Sequence, residues 1–204
     1  MSKISVLMSV YKKENPEYLR ASLESILVQT RTADEILLIE DGPLTQELYQ
    51  VVAEYQKKCD YLHVHAMEQN VQLGRALAKH CRNNLVARMD TDDIAMPDRL
   101  EKEEAYMEAH PEVDVVGGAI REFNDEGTID RVKNMPKTQE EILEYVKVRN
   151  PLNHMTVMYR KDSILKAGNY KHFPFLEDYS LWSRMLSQAY QFRNMEDILV
   201  RART

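Results

Sequence analysis

Three carboxylates fall within the run Arg88-Met89-Asp90-Thr91-Asp92-Asp93, directly after the short apolar-leaning stretch Leu85-Val86-Ala87. At a strand end, side chains two apart point to the same side, so Asp90 and Asp92 would share one side. Two carboxylates held that way repel unless a positive charge sits between them. A hard divalent cation, Mg²⁺ or Mn²⁺, suits the position, because it takes oxygen ligands and commonly one or two carboxylates plus phosphate oxygens. The competing reading is a solvated acidic turn ahead of the helix after Pro97, and the run alone does not choose between them. Other titratable residues carry less. His63 and His65 alternate without a nearby third ligand, and Cys59 and Cys81 have neither metal-type spacing nor a disulfide framework.

The elements that would hold the run alternate strand and helix. A short apolar strand is expected over 4–10, then a helix opened by Asn15-Pro16 with Leu19, Leu23, Ile26 and Leu27 on one face. The run Ile36-Leu37-Leu38-Ile39 reads as a buried strand over 35–40, stopped by Asp41-Gly42-Pro43. Thr45 would cap a helix carrying Leu48, Val51, Val52 and Tyr55. A strand over 61–66, a helix over 73–80 and a strand over 85–89 complete the pattern. Strands separated by such helices imply parallel βαβ units. The second half reads differently: a helix over 98–109, strands over 113–117, 119–123 and 128–132, the last two around a hairpin at Asn124-Asp125-Glu126-Gly127, a helix over 138–148, a strand over 154–159, a helix over 179–190 and a strand over 192–200. Ligands of open α/β sheets bind at the carboxyl ends of parallel strands. Tyr11, Glu40-Asp41, Asn70 and Asp90 to Asp93 all stand at such ends.

At 204 residues with net charge −6, the chain suits one domain and offers nothing that favours nucleic acid as partner. An anionic ligand would have to be held locally, by a metal, a helix N-terminus or single basic residues. No stretch approaches the ~20 apolar residues a membrane span needs. The expectation is a cytoplasmic protein, with membrane contact, at the inner face, left to segments outside this chain.

Five segments in order resemble a family 2 glycosyltransferase of the GT-A fold: Ser5-Val6-Leu7-Met8-Ser9-Val10-Tyr11, Ile39-Glu40-Asp41-Gly42-Pro43, Asn70-Val71-Gln72-Leu73-Gly74-Arg75-Ala76, Met89-Asp90-Thr91-Asp92-Asp93 and Phe175-Leu176-Glu177-Asp178-Tyr179-Ser180-Leu181-Trp182. The Glu-Asp-Gly-Pro wording is similar to bacterial exopolysaccharide and amylovoran-type enzymes. The resemblance implies a Rossmann-like α/β sheet, one catalytic domain over 1–204 with a nucleotide-binding half to about residue 95 and an acceptor and catalytic half beyond it, and transfer of a sugar from a nucleoside diphosphate, UDP favoured, to an acceptor hydroxyl with inversion. The acceptor would be a glycan or lipid-linked glycan in surface polysaccharide assembly.

Residue by residue, the resemblance implies that Ser9, Tyr11, Asp41, Gly74, Arg75, Asp90 and Thr91 line the donor nucleotide. Tyr11 would stack on the base, Asp41 would accept hydrogen bonds from it, and Arg75 would meet the base or the diphosphate. Asp90 and Asp92 match the family's Asp-X-Asp motif, with Asp92 the direct ligand of Mn²⁺ or Mg²⁺ and Asp90 reaching the ribose and the metal. Asp178 is the implied general base, with Glu177 holding the acceptor or its loop, and His154 is a weak candidate for contact with donor or acceptor. Each has a structural alternative: a turn for Asp41, a solvated helix position for Arg75, a helix start for Glu177 and Asp178, a core ring for His154. Trp182 reads as core. Two departures stand out: Ser9 where many relatives have proline, and an end at Thr204 where many relatives continue, which suggests a C-terminally shortened piece. The alternatives in function are a catalytically silent sugar-nucleotide-binding or scaffold protein of the same fold, and a nucleotidyltransferase. The second lacks a glycine-rich phosphate loop near the first strand.

Overall fold

The computed structural model describes residues 2–70, 78–171, 173 and 176–204. The first strand, β1 (Ile4–Val10), and the second, β2 (Glu35–Glu40), are buried along nearly their whole length, as parallel strands covered on both faces must be. Between them runs α1 (Pro16–Leu27), where the Asn15 side chain accepts from the Glu17 amide and Pro16 sits at the first turn. Helix α2 (Gln46–Lys58) is capped by Thr45, whose hydroxyl accepts from the Leu48 amide. Next come β3 (Leu62–Ala66), β4 (Leu85–Asp90), the short β5 (Ile94–Ala95) and α3 (Arg99–Ala109). The second half adds β6 (Val115–Phe123), β7 (Asp130–Lys133), α4 (Gln139–Tyr145), β8 (Met158–Arg160), α5 (Lys161–Lys166), α6 (Glu177–Ser187) and β9 (Phe192–Arg203).

All nine strands join one mixed sheet in the order β3-β2-β1-β4-β8-β6-β9-β5, with β7 hairpinned on β6. The first four are parallel, with Ser9 opposite both Ile39 and Asp90 and Val10 opposite Glu40. Their carboxyl ends therefore lie along one edge. Alternation divides the core. Ile4, Val6, Met8 and Val10 pack with Leu19, Leu23 and Leu48 on one face, whereas Leu7, Leu37, Ile39 and Val86 pack with Ile142, Leu181 and Trp182 on the other. Trp182 is wholly buried, as expected.

The strands and first two helices of the parallel half follow the sequence pattern closely, and the mixed half departs from it in several places. The strands expected over 113–117 and 119–123 are one strand, β6. Gly117 and Gly118 do not break it; they let neighbours come close. A Cβ on Gly117 would lie 2.6 Å from Asn194 Oδ1, and one on Gly118 2.6 Å from Leu199 Cδ1. The pairing with β9 shifts register there. The helix expected over 138–148 stops at Tyr145. The strand expected over 154–159 begins instead as a 3₁₀ turn, His154–Thr156, because the Thr156 hydroxyl bonds the Asn153 carbonyl and draws the backbone into a local turn. The helix expected over 179–190 starts at Glu177 and ends at Ser187. Strand β5 and helix α5 carry too few residues to show a period. The helix expected over 73–80 falls mostly on residues 71–77, outside the described residues, and Gly74 and Arg75 with it. No helix among the described residues is long and apolar enough to cross a membrane.

Candidate active site

Strand β4 carries the carboxylate run to the sheet edge, and its one buried charge prepares the place. Arg88 is nearly fully buried; its Nη1 donates to the Leu7 carbonyl (2.8 Å) and to the Met89 carbonyl (3.2 Å), while Nη2 pairs with Asp90 Oδ1. A guanidinium taken out of water must be met by acceptors, and here one of them is the first carboxylate of the run. Beneath it Arg99, wholly buried, donates to the Arg88 carbonyl (2.7 Å) and to Glu103 (3.0 Å). Thr91 ties the run to the first strand: its hydroxyl lies 3.2 Å from the Ser9 carbonyl and 2.7 Å from Glu14. Ser22 on α1 donates to the Asp90 carbonyl at 2.9 Å.

Asp92 has no counter-charge of Asp90's kind. Burial, then the charges of Asp90 and Glu14, push its carboxyl up to about 6. Asp93 is pushed up to about 8, first by burial and then by Asp90, and it accepts the Arg203 amide at 2.8 Å. Uncompensated oxygen donors at the end of a parallel strand are the donor set of a hard cation. No cluster of three or more His, Cys, Asp or Glu side chains among the described residues is arranged to hold a metal unaided. The residues fit the mode in which one or two carboxylates and substrate phosphates share the ion.

The neighbouring strand ends bring the other candidates to the same edge. The Asp41 amide donates to the Val10 carbonyl (2.8 Å), and Asp41 is buried. Gly42 has φ +84°, and a Cβ there would come within 2.7 Å of the Asn70 amide nitrogen, so glycine is required for Asp41 to turn beside the chain leaving β3. Glu40 is buried as well, and burial raises its carboxyl above the ordinary range. Tyr11, 43 % exposed, stands just past the end of β1 and offers its ring as a flat surface.

The mixed half approaches that edge from β8, which runs antiparallel to β4 with Met158 opposite Ala87 and the Arg88 amide donating to the Val157 carbonyl (2.8 Å). The turn at 154–156 thereby lies next to the Asp90 end of β4. Residues 150–156 are pinned by side chains: Asn153 donates to the Gly118 carbonyl (3.0 Å), the Gly118 amide donates to the Thr156 hydroxyl (3.1 Å), and Asn194 donates to the Pro151 carbonyl (3.0 Å). Asn150 then donates to Asp178 Oδ2 at 2.7 Å. Asp178 and Glu177 open α6, where the unpaired amides of a helix start favour negative charge. Glu177 is buried and Asp178 only half-buried, so the two consecutive carboxylates do part company. His154 meets the Tyr170 hydroxyl at 3.0 Å and sits among the rings of Tyr170 and Trp182.

Ser9, Tyr11, Asp41, Asp90, Thr91 and Asp92 thus share the carboxyl edge of the parallel strands, and Asn150 links Asp178 to the segment beside it. Arg88, Glu14 and Asn150 shape this region without having been singled out from sequence. Arg88 had a signal, a charge inside an otherwise apolar strand two residues before Asp90. Glu14 and Asn150 had none, since their partners are distant in sequence.

Residues 5–172 match the family model described as glycosyl transferase family 2. The amylovoran biosynthesis glycosyltransferase AmsE of Erwinia amylovora is 43 % identical over 98 % of this chain and 75 % of its own length. The UDP-Gal:alpha-D-GlcNAc-diphosphoundecaprenol beta-1,3-galactosyltransferase of Escherichia coli is 34 % identical over 97 % of this chain and 73 % of its own. Among solved structures, S. aureus TarS 1-349 in complex with UDP-GlcNAc superposes with TM-score 0.78 at 19 % identity, covering 99 % of this chain but 58 % of that one. The chain spans less than two thirds of these TarS structures, and 37 % of the longer TarS chain. With a family model matched over most of its length and relatives above the 30 % level along nearly all of it, the chain belongs to glycosyl transferase family 2 and is a glycosyltransferase of the GT-A fold.

Proposed function

We propose that this glycosyltransferase moves a sugar from a UDP-linked donor to a hydroxyl of a glycan or lipid-linked glycan, with inversion, in exopolysaccharide or O-antigen assembly. The observation that carries the reading is the crowding of Asp90, Asp92, Asp93 and Glu14 at one strand end, with Asp92 held up to about 6 and no basic side chain paired to it among the described residues. The names of the relatives supply the substrate class: one acts on a lipid diphosphate acceptor, and the TarS structures hold UDP and UDP-GlcNAc.

In this reading the first half of the domain, to about residue 95, grips the donor. Tyr11 stacks on the base, Asp41 accepts from it, and Ser9, Thr91 and Asp90 line the ribose side. Gly74 and Arg75 belong to the same proposal on their sequence motif alone. Asp92, with Asp90, holds a divalent ion, Mn²⁺ or Mg²⁺. When bound, that ion supplies Lewis-acid stabilisation of the departing diphosphate. Arg88 pairs with Asp90 and fixes its carboxylate, which leaves Asp92 as the carboxylate that faces the ion without a basic partner among the described residues. The second half positions the acceptor. Asp178 takes the proton of the attacking hydroxyl, Asn150 fixes its carboxylate, and Glu177 braces the start of α6. Separating donor grip from proton removal explains why the two acidic clusters sit on different elements.

Calorimetry with UDP, with and without Mn²⁺, tests the reading. Binding that needs Mn²⁺ and disappears in Asp92→Ala is expected. A folded protein that binds UDP equally well without metal and with Asp92→Ala would overturn the metal role.

A further inference from the structure

Arg203 touches four separate parts of the molecule. Its amide donates to Asp93 Oδ1 (2.8 Å) and its Nε donates to the Asp92 carbonyl (3.1 Å). Its Nη1 pairs with Asp125 in the β6–β7 hairpin. Its guanidinium lies over the Tyr18 ring of α1, 3.8 Å from the centroid, and 4.6 Å from that of Phe123 on β6. The Tyr18 hydroxyl closes the circuit onto Asp125. The side chain is only 12 % exposed despite its place near the end of the sequence. Just before it, β9 pairs with β5, Arg201 opposite Ile94, so the backbone leaving Asp93 is already clipped to the same strand.

This arrangement is more than a surface ion pair. An exposed arginine–aspartate pair contributes little. Here the planar fork is used several times at once, with Nε committed to a main-chain carbonyl of the acidic run and the guanidinium close to two rings. The residue also lies 31 positions beyond the last residue of the family match, which ends at 172. We propose that Arg203 is a positioning residue for the Asp92 loop: it fixes the main chain that carries the metal-binding carboxylate and couples that loop to the hairpin tip at Asp125. The inference rests on the proposed metal role of Asp92.

Lysine would retain the charge near Asp125 but could not reproduce the Nε contact to the Asp92 carbonyl and the planar contact with the Tyr18 ring together. Loss of an outer support of a metal ligand typically costs about 10- to 100-fold in metal affinity or activity. Arg203→Met, Arg203→Lys and Asp125→Asn would be compared by near-UV circular dichroism for folding, then by calorimetry of UDP with and without Mn²⁺. Arg203→Met is expected to weaken Mn²⁺-dependent UDP binding by about 10-fold or more, with any UDP binding left in the absence of Mn²⁺ equal to the parent's. Arg203→Lys should recover less than half of that loss, and Asp125→Asn should show a smaller loss of the same kind. If Arg203→Met does not fold, the other two variants carry the test. Unchanged Mn²⁺ dependence in every folded variant would overturn the inference. Asp92→Ala run in parallel tells the failures apart: if it removes Mn²⁺-dependent binding while the Arg203 variants do not, only the positioning role falls. If Asp92→Ala also changes nothing, the metal reading falls and the inference with it.

Discussion

Asp92 and Asp178 are both aspartates near the end of a regular element, yet their surroundings differ in sign. Asp92 leaves the end of β4 among Asp90, Asp93 and Glu14, and burial and like charge push its carboxyl up to about 6. Asp178 stands in the first turn of α6, where the helix start favours negative charge and Asn150 donates a hydrogen bond at 2.7 Å. The first group has no basic side chain paired to Asp92 among the described residues and is suited to sharing a cation with a diphosphate. The second is supplied with hydrogen-bond donors that hold its carboxylate in place, which suits it to accepting a proton. Placing both on a single element would have made each raise the other's cost of ionisation.

Breaking the proton-accepting side should give the largest effect. Asp178→Asn is expected to lower turnover by about 10²–10⁴-fold, the usual worth of a general base, while Mn²⁺-dependent UDP binding stays within about 2-fold of the parent, a change of less than ~1 kcal/mol. A collapse of UDP affinity in this variant would assign Asp178 to the nucleotide pocket. Breaking the cation-seeking side comes next. Asp92→Ala should cost Mn²⁺-dependent UDP affinity about 100-fold, the top of the range for loss of even an outer partner, as read by calorimetry.

Asn150→Ala sharpens the contrast. Hydrogen bonds to charged groups contribute about 1.5–3 kcal/mol, so turnover should fall by roughly 10-fold or somewhat more with UDP affinity unaltered. Equal activity in Asn150→Ala would mean that the helix start alone orients Asp178. The smallest effect is on stability. A carboxyl whose folded pKa is raised binds its proton more tightly folded than unfolded, so its contribution is favourable at low pH and is lost as pH rises from about 4 through about 6. In chelator, Asp92→Asn should therefore melt higher than the parent at pH 7.5 and equally at pH 4. Raising the Asp92 carboxyl from about 4 to about 6 corresponds to ~3 kcal/mol; solvent screening of this partly open group reduces that to ~1 kcal/mol, or about 3 °C. A parent that melts higher than Asp92→Asn at pH 7.5 without metal would mean that the loop already neutralises Asp92.

Among the described residues, the strands and the first two helices of the parallel half were legible nearly residue by residue. Ile36 to Ile39 had to be a covered strand because every position is apolar, and Asn15-Pro16 and Thr45 marked helix starts by capping chemistry that acts within three residues. The acidic edge followed, since parallel strands end on one side. The mixed half was less legible because its decisions are made by contacts distant in sequence. Gly117-Gly118 reads as a break, and only the approach of Asn194 and Leu199 shows that the strand continues through it. His154 to Thr156 alternates like a strand, but hydrogen bonds to Gly118 and Asn153 turn it.

The sequence by itself determined the family, the parallel βαβ units of the first half and the carboxylate run, because apolar period, capping residues and motif wording are local properties. Tertiary structure decided which carboxylates are answered by positive charge and which are not. Arg88 neutralises Asp90 across two residues of one strand, whereas Asp92 depends on Glu14, 78 residues away, and on Arg203, 111 residues away. Electrostatic interaction depends on distance and burial, and neither exists until the chain has folded.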